Sequence, residues 1–159
     1  MATDAVEKEG LTFASLTEAT KKTLSEKLPA AANIKNPVDV LGDALADRYE
    51  FALNVVLDDP GVDLVVVLLT PQVMTQTKET AQAVVKVSKA KPQKPVFACF
   101  IGAEKVYEGW RVFQDNGIPS YDSPEAAMRA AAMMVKYVSW LKKPARKVET
   151  FQVDRNKHI

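Results

Sequence analysis

Asn36, Asp39 and Asp43 fall in one short stretch, "NPVDVLGDA" (Asn36–Ala44), and Thr70, Gln72 and Thr75 fall in another, "TPQVMTQT" (Thr70–Thr77). One amide and two carboxylates beside Gly42 can hydrogen-bond a polar ligand at the rim of a fold. Thr75, Gln76 and the free amides of a helix start suit a carboxylate or phosphate. Each stretch also has a plain structural reading. Pro37 forces Asn36 into an extended conformation, Gly42 serves a turn, and Asp43 caps the following helix. Thr70 or Thr75 caps the next helix while Met74 fills the core. Both readings stand at this level. Neither stretch contains GxGxxG or GxxxxGK[ST], so the dinucleotide fingerprint and the P-loop are absent. No carboxylate pair can be assigned as acid and base.

Other chemistry is narrowed by counting. His158 is the only histidine and lies next to last, which rules out a histidine triad, a histidine metal site or a phosphohistidine within the folded part. Cys99 is the only cysteine, so neither an internal disulfide nor a cysteine-rich metal cage can form. It sits in an apolar strand and reads as core packing. Trp110 and Trp140 lie at helical positions beside apolar residues and read as core or domain contacts. "DRYE" (Asp47–Glu50) reads as an exposed helix face, and "KKPARK" (Lys142–Lys147) as a solvated linker. A net charge of +1 is too small for a nucleic-acid surface. The longest apolar run, Leu64–Leu69, is too short to span a bilayer, and the amino terminus lacks a signal-peptide pattern. With one free cysteine, that profile is the one expected of a cytoplasmic protein without bound metal.

These residues need elements to position them. At 159 residues the chain fits one domain with its own core. "LVVVLL" (Leu64–Leu69) and "PVFACF" (Pro95–Phe100) read as strands buried on both faces, the pattern of a parallel sheet. Between them, Thr75–Ala90 carries Ala81, Val84, Val85 and Ser88 at helical spacing, and Pro92 stops it. Ahead of them, Leu45, Tyr49, Ala52, Leu53 and Val56 form one stripe ended by Pro60-Gly61. Glu104–Asn116 reads as a helix stopped by Gly117, and "IPSY" (Ile118–Tyr121) as a short strand. Ser123-Pro124 then caps a long helix with a stripe of Ala127, Ala130, Met134, Tyr137 and Leu141, ending at Pro144. In the first third, Thr3 caps a helix ending at Gly10, "LTFASL" (Leu11–Leu16) reads as a strand, and Thr17 opens a helix ending before Pro29. The alternation gives an α/β fold with right-handed crossovers and a doubly wound, mainly parallel sheet. Its ligand rim lies beyond the carboxyl ends of the strands. Four connections lie there: Asn36–Asp43, Thr70–Thr77, Ile101–Lys105 and Tyr121–Glu125. Residues 1–143 form the domain and 144–159 a polar linker or tail.

The order of segments carries a further signal. "ATDAVEKEGL" (Ala2–Leu11), "NPVDVLGDA", Asp58-Asp59-Pro60 before "VDLVVVLLTPQVMT", "KPVFACFIG" (Lys94–Gly102) and "GIPSYDSPEAA" (Gly117–Ala127) occur in one order. That set resembles the flavodoxin-like ligase domain of the NDP-forming acyl-CoA synthetases, relatives of succinyl-CoA synthetase. The resemblance covers Ala2–Lys143, with "NPVD" and "GIP" as its most specific pieces. It implies a reaction converting acyl-CoA, phosphate and a nucleoside diphosphate into acid, CoA and nucleoside triphosphate through a phosphohistidine. That histidine belongs to a neighbouring CoA-binding module and the nucleotide to an ATP-grasp module. These domains or subunits are the implied partners, with a homo-oligomer as an open alternative. No cofactor is expected to be held tightly here, and no turnover is expected from this chain alone. Asn36, Asp39, Gly42 and Asp43 fall on the family's first rim loop. Thr70, Gln72 and Thr75 fall on the loop whose glycines face the carboxylate substrate in succinyl-CoA synthetase. Here Pro71-Gln72-Val73 replace those glycines.

Relatives also have a strand and a glycine-rich turn just ahead of the helix that begins near Ala2, where this sequence has Met1. The resemblance therefore implies a fold lacking its first strand, with a slot beside "LVVVLL". The β-competent "KVETFQVD" (Lys147–Asp154) is expected to pair with a sheet edge or another chain, and both ends read as cuts within a longer polypeptide or a split subunit. The competing class is a stand-alone flavodoxin-like domain without enzyme activity, either a small-ligand binder such as a receiver or flavin carrier, or an assembly protein. A receiver would need an aspartate where Thr70 stands.

Overall fold

The computed structural model of the chain describes residues 2–144, and the expectations for Met1 and for Lys147–Asp154 lie outside the described residues. Three parallel strands form the sheet in the order β1 (Val65–Leu69), β2 (Val96–Phe100), β3 (Ser120–Tyr121). Val65 pairs with Val96 and Leu69 with Phe100, while Ala98 and Cys99 pair with Ser120 and Tyr121. β2, the central strand, is buried along its whole length. Its continuous apolar run is what a two-sided parallel strand requires.

Helices cover both faces, as a doubly wound sheet demands. On one face, α3 (Ala46–Asp58), α4 (Thr77–Ala90) and α5 (Tyr107–Asp115) bury Leu53, Val84, Phe113 and their neighbours against Val67, Leu69, Ala98 and Phe100. Phe100 and Phe113 meet edge to face with ring centroids 4.8 Å apart. Gly109 lets α5 approach closely, since a Cβ there would lie 3.0 Å from the Thr77 carbonyl and 3.1 Å from the Phe100 ring. On the other face, α1 (Ala2–Lys8) and α6 (Pro124–Leu141) bring Ala5, Val6 and Met128 onto Val66. α2 (Glu18–Lys27) and its C-cap Leu28 pack Leu24 and Leu28 into a cluster with Leu16, Ala52 of α3 and Val62.

Several elements depart from the sequence reading. "LTFASL" is not a strand. A strand needs a ladder, and this segment's polar groups go elsewhere: the Ala14 carbonyl accepts from the Asn36 side chain (3.1 Å), and the Thr17 amide donates to Asp59 (2.8 Å). The expected helix Glu104–Asn116 divides into a 3₁₀ turn, Ala103–Val106, and α5, because Gly102 (φ +143°) and Ala103 (φ +44°) reverse the chain first. α4 starts at Thr77 rather than Thr75, and "IPSY" contributes only Ser120 and Tyr121 to the sheet. In α6 the buried positions are Pro124, Ala127, Met128, Ala131 and Ala132. Tyr137 and Leu141, expected on the stripe, are exposed, because α6 runs on past the elements that cover its first half. Trp140 is also exposed and stacks on Tyr137 at 6.1 Å, whereas Trp110 is half-buried and donates from Nε1 to the Phe100 carbonyl (3.2 Å).

Asp59 joins the first third of the chain to the rest. Its side chain is 1% exposed. It accepts from the Thr17 amide (2.8 Å), the Thr17 hydroxyl (3.0 Å) and the Gly61 amide (2.8 Å). Burial alone would raise its pKa. The hydrogen bonds, including one from Thr20, outweigh that and bring it down to about 2. A lowered folded-state pKa means that the ionised form stabilises the fold, fully above the unfolded value of 3.8 and progressively less as pH falls toward 2. Asp59→Ala should cost about 3 kcal/mol in urea titrations at neutral pH, because three donors lose a charged partner. The same variant should show a flatter loss of stability than the wild type as pH falls from 3.8 to about 2.

Cys99 behaves as the sequence suggests. It is fully buried, and burial, helped by the Asp122 and Glu125 carboxylates, pushes its thiol up to about 11. It should resist iodoacetamide in the folded protein at neutral pH and react fully in denaturing urea, as intact-mass measurement would report.

Candidate functional site

Both singled-out stretches converge on one cavity of about 460 Å³ along the open edge of β1. Asn36, Asp39 and Gly42 line it from one side, and Thr70 and Thr75 from the carboxyl end of β1. Asp43 and Gln72 do not line it, yet both belong to the same rim: a Cβ on Gly42 would lie 3.7 Å from Cγ of Gln72. The two loops therefore meet, as the parallel-sheet argument requires. Below the rim the lining turns apolar, with Ala52, Leu53 and Val56 of α3, Leu64–Leu68, and Ala14 and Leu16 opposite.

The side chains of Asn36, Asp39 and Thr75 at this rim brace the loops that carry them. The Asn36 side chain donates to the Ala14 carbonyl, fastening the loop to residues 11–17. An Asp39 oxygen accepts from the Leu41 amide (2.8 Å), and the Asp39 amide donates to the Asn33 carbonyl (2.9 Å). Those bonds hold a small antiparallel bridge and support Leu41 at φ +71°, a backbone region that leucine rarely adopts. The Asn36-Pro37 peptide bond is cis. In the second loop, the Thr75 hydroxyl accepts from the Gln72 amide (2.7 Å) and the Thr75 amide donates back to the Gln72 carbonyl (3.2 Å). Pro71 packs against Gly102, where a Cβ would come within 2.8 Å of Pro71 Cγ. Only glycine fits that contact.

Three expectations about the loops are corrected. Asp43 does not cap α3, whose N-cap is Leu45 with no side-chain hydrogen bond. Its carboxylate instead accepts from Arg48 Nη1 (2.7 Å), and the Arg48 hydrogen bond holds it below the usual range. Neither Thr70 nor Thr75 caps α4, whose N-cap is Gln76, because Thr75 is spent on closing its own turn. Met74 does not fill the core. Met74 is 71% exposed and Val73 fully so, which makes the loop tip an apolar projection above the rim.

Sequence reading passed over two contributors. Arg48 was grouped with the exposed "DRYE" face, but its guanidinium also donates to the Val40 carbonyl (2.9 Å), so it clasps both ends of the Val40–Asp43 turn. The signal available was the spacing, a basic residue in the first turn of a helix just after an acidic loop. Tyr49 lines the cavity wall, and burial together with the Asp39 carboxylate raises its phenol above the ordinary value. Among the described residues no group of His, Cys, Asp and Glu could hold a metal ion. No described helix is long and apolar enough to cross a membrane. The arrangement offers a shaped, half-apolar cleft whose rim loops are braced by hydrogen bonds.

Comparison with known proteins matches this fold and rim to one family. The Ligase-CoA domain family matches residues 1–148. Acetate–CoA ligase [ADP-forming] I of Archaeoglobus fulgidus is 36% identical over 137 residues, which are 86% of this chain and 19% of that protein. Acetate–CoA ligase [ADP-forming] I subunit alpha of Pyrococcus furiosus is 32% identical over 149 residues, 92% of this chain and 32% of the subunit. The solved structure of the dinucleotide-forming acetyl-coenzyme A synthetase 1 of Ca. Korarchaeum cryptofilum, in its apo form, superposes with a TM-score of 0.80 at 26% identity. It matches 87% of this chain and 30% of its own. The chain thus spans between about a fifth and a third of the length of these relatives. Since the family match takes in every described element, the chain belongs to the Ligase-CoA domain family.

Proposed function

We propose that this domain serves as a module of an NDP-forming acyl-CoA synthetase, acting on acyl-CoA, phosphate and a nucleoside diphosphate to give acid, CoA and nucleoside triphosphate. The observation that carries this is the family match over residues 1–148, joined to a rim on which both singled-out loops meet. His158, the only histidine of the sequence, lies outside the described residues, so the described rim carries no histidine. In this reading the phosphohistidine, the CoA site and the nucleotide site belong to partner modules, and this chain holds none of those groups tightly. Its task is to supply one wall of the pocket in which acyl group and phosphohistidine meet. Asn36, Asp39, Gly42, Asp43, Thr70, Gln72 and Thr75 form that wall, and the side chains of Asn36, Asp39, Asp43 and Thr75 hold the loops in place. Such positioning is worth large factors in rate when the reacting groups come from different domains. The supply of CoA and nucleotide that this reading requires supports a cytoplasmic location.

The direct test replaces the matching stretch of the Archaeoglobus fulgidus relative with residues 1–148 and follows ATP formation from acetyl-CoA, phosphate and ADP. The chimera should turn over and this chain alone should not. Turnover by the isolated chain, or a folded chimera that binds substrates without turnover, would falsify the assignment. Within the chimera, Arg48→Ala should lower kcat about tenfold by releasing the Val40–Asp43 turn. Asp43→Ala should act more weakly, since Asp43 is largely exposed and the Arg48–Val40 hydrogen bond survives.

A further inference from the structure

The second half of α6 stands clear of the body of the domain. From Met133 to Lys143 every residue is exposed, yet only Lys136 and Ser139 between Met133 and Leu141 are polar. Ala126, Ala130, Met133, Tyr137 and Trp140 follow one another at steps of four and three, the spacing of a coiled-coil seam. At 3.6 residues per turn, that seam is centred about 170° round the helix from the buried positions Pro124, Ala127, Met128, Ala131 and Ala132. Its outward direction leaves Met133 66%, Tyr137 59% and Trp140 62% exposed. The Tyr137–Trp140 stack holds the two rings as one surface. A face of this pattern is covered when another helix lies along it.

The two flanks of the seam differ in charge. Met134, Val138 and Leu141 widen it on one side. Arg129, Lys136 and Lys143 stand in a row on the other, and no carboxylate occurs from Ala126 to Lys143. Arg129 reaches Glu9 of α1 (3.6 Å), whereas Lys136 and Lys143 have no ion-pair partner among the described residues. We infer that this face of α6 is a docking surface for an amphipathic helix from outside the domain, one with an apolar seam and carboxylates along the flank that meets Lys136 and Lys143. A second copy of the chain does not supply those carboxylates. Antiparallel pairing sets Lys136 against its own counterpart and Arg129 near Lys143, and parallel pairing sets the cations beside Met134 and Leu141. An anionic lipid surface fits less well, because Ala126 and Ala130 of the same seam offer little apolar bulk to insert. Against a helix, the two alanines admit a close approach while Tyr137 and Trp140 provide the anchor. This inference rests on α6 alone and goes beyond the enzymatic assignment.

Isothermal titration calorimetry of the full chain at low salt tests it with two synthetic amphipathic helices. Both carry leucine along a heptad seam, one with glutamate and the other with lysine on the flanks. The glutamate helix should bind with a Kd at least about tenfold below that of the lysine helix, and high salt should shrink the difference. The double variant Lys136→Glu and Lys143→Glu should reverse the preference, and Met133→Asp should weaken both helices about tenfold or more. All three positions are exposed, so both variants should melt as the wild type does. No binding of the glutamate helix, equal binding of the two, a preference that survives charge reversal, or binding indifferent to Met133→Asp would each overturn the inference. Self-association of the wild-type chain in sedimentation equilibrium, if lost in Met133→Asp, would assign the face to a second copy. Binding to phosphatidylglycerol vesicles, if lost in the same variant, would assign it to a membrane. Both of those results also overturn it.

Discussion

The Asp59 carboxylate connects parts of the chain that the sheet does not connect. No residue before β1 contributes a strand to the three-stranded sheet among the described residues. The first third is held instead by helix packing and by this one buried anion, which takes two hydrogen bonds from Thr17 at the N-cap of α2 and one from Gly61 at the entry to β1. The same residue closes α3 as its C-cap, and its carbonyl accepts from Lys94 just ahead of β2. A carboxylate out of water is costly, and only a full set of donors makes its ionised form the favoured one. The geometry supplies that set. The far wall of the cavity keeps its distance from β1 because Thr17 cannot leave Asp59.

The rim loops depend on that placement. Residues 11–17 run along the cavity wall without ladder partners, and the Asn36 side chain bonds to the Ala14 carbonyl there. From Asn36 the chain continues through the Asp39–Leu41 turn to Val40 and Asp43, both clasped by Arg48. Gly42 then abuts Gln72 of the second loop, and Pro71 abuts Gly102 of the third. A shift of the Thr17 anchor would thus reach three of the four loops at the carboxyl end of the sheet by way of hydrogen bonds and contacts already named. Loops organised like this form a braced rim above the cavity.

How much of this was legible in the sequence follows from what kind of interaction decides each element. β1, β2 and α6 were readable because apolar runs and a Ser-Pro cap are local signals, and burial on both faces leaves only one arrangement for them. The shared rim of Asn36 and Thr70 was also readable, since a parallel sheet sends all its carboxyl ends to one side. "LTFASL" misled because its composition suits a strand while strand formation depends on a partner that no local pattern reports. Asp43 and Thr75 misled for a related reason. Residues that cap helices also close turns, and the choice depends on whether a closer donor exists. For Asp43 that donor is Arg48, and for Thr75 it is the Gln72 amide. Asp59 looked like part of a turn, and its role as an anchor appears only once Thr17 is brought beside it in space.

The exposed apolar tip of the second loop bears on how such a domain works with others. Val73 and Met74 project from a turn that the Thr75–Gln72 hydrogen bonds make rigid, so their exposure is not a consequence of slack backbone. Burying either side chain against another domain would cost little conformational entropy, because the backbone that carries it is already ordered. Two apolar side chains at the rim, beside loops whose polar atoms are already paired, favour contact by shape and exclusion of water over contact by charge. Pro71 adds to that stiffness, since its ring fixes one backbone dihedral, and Val73 supplies an exposed apolar edge.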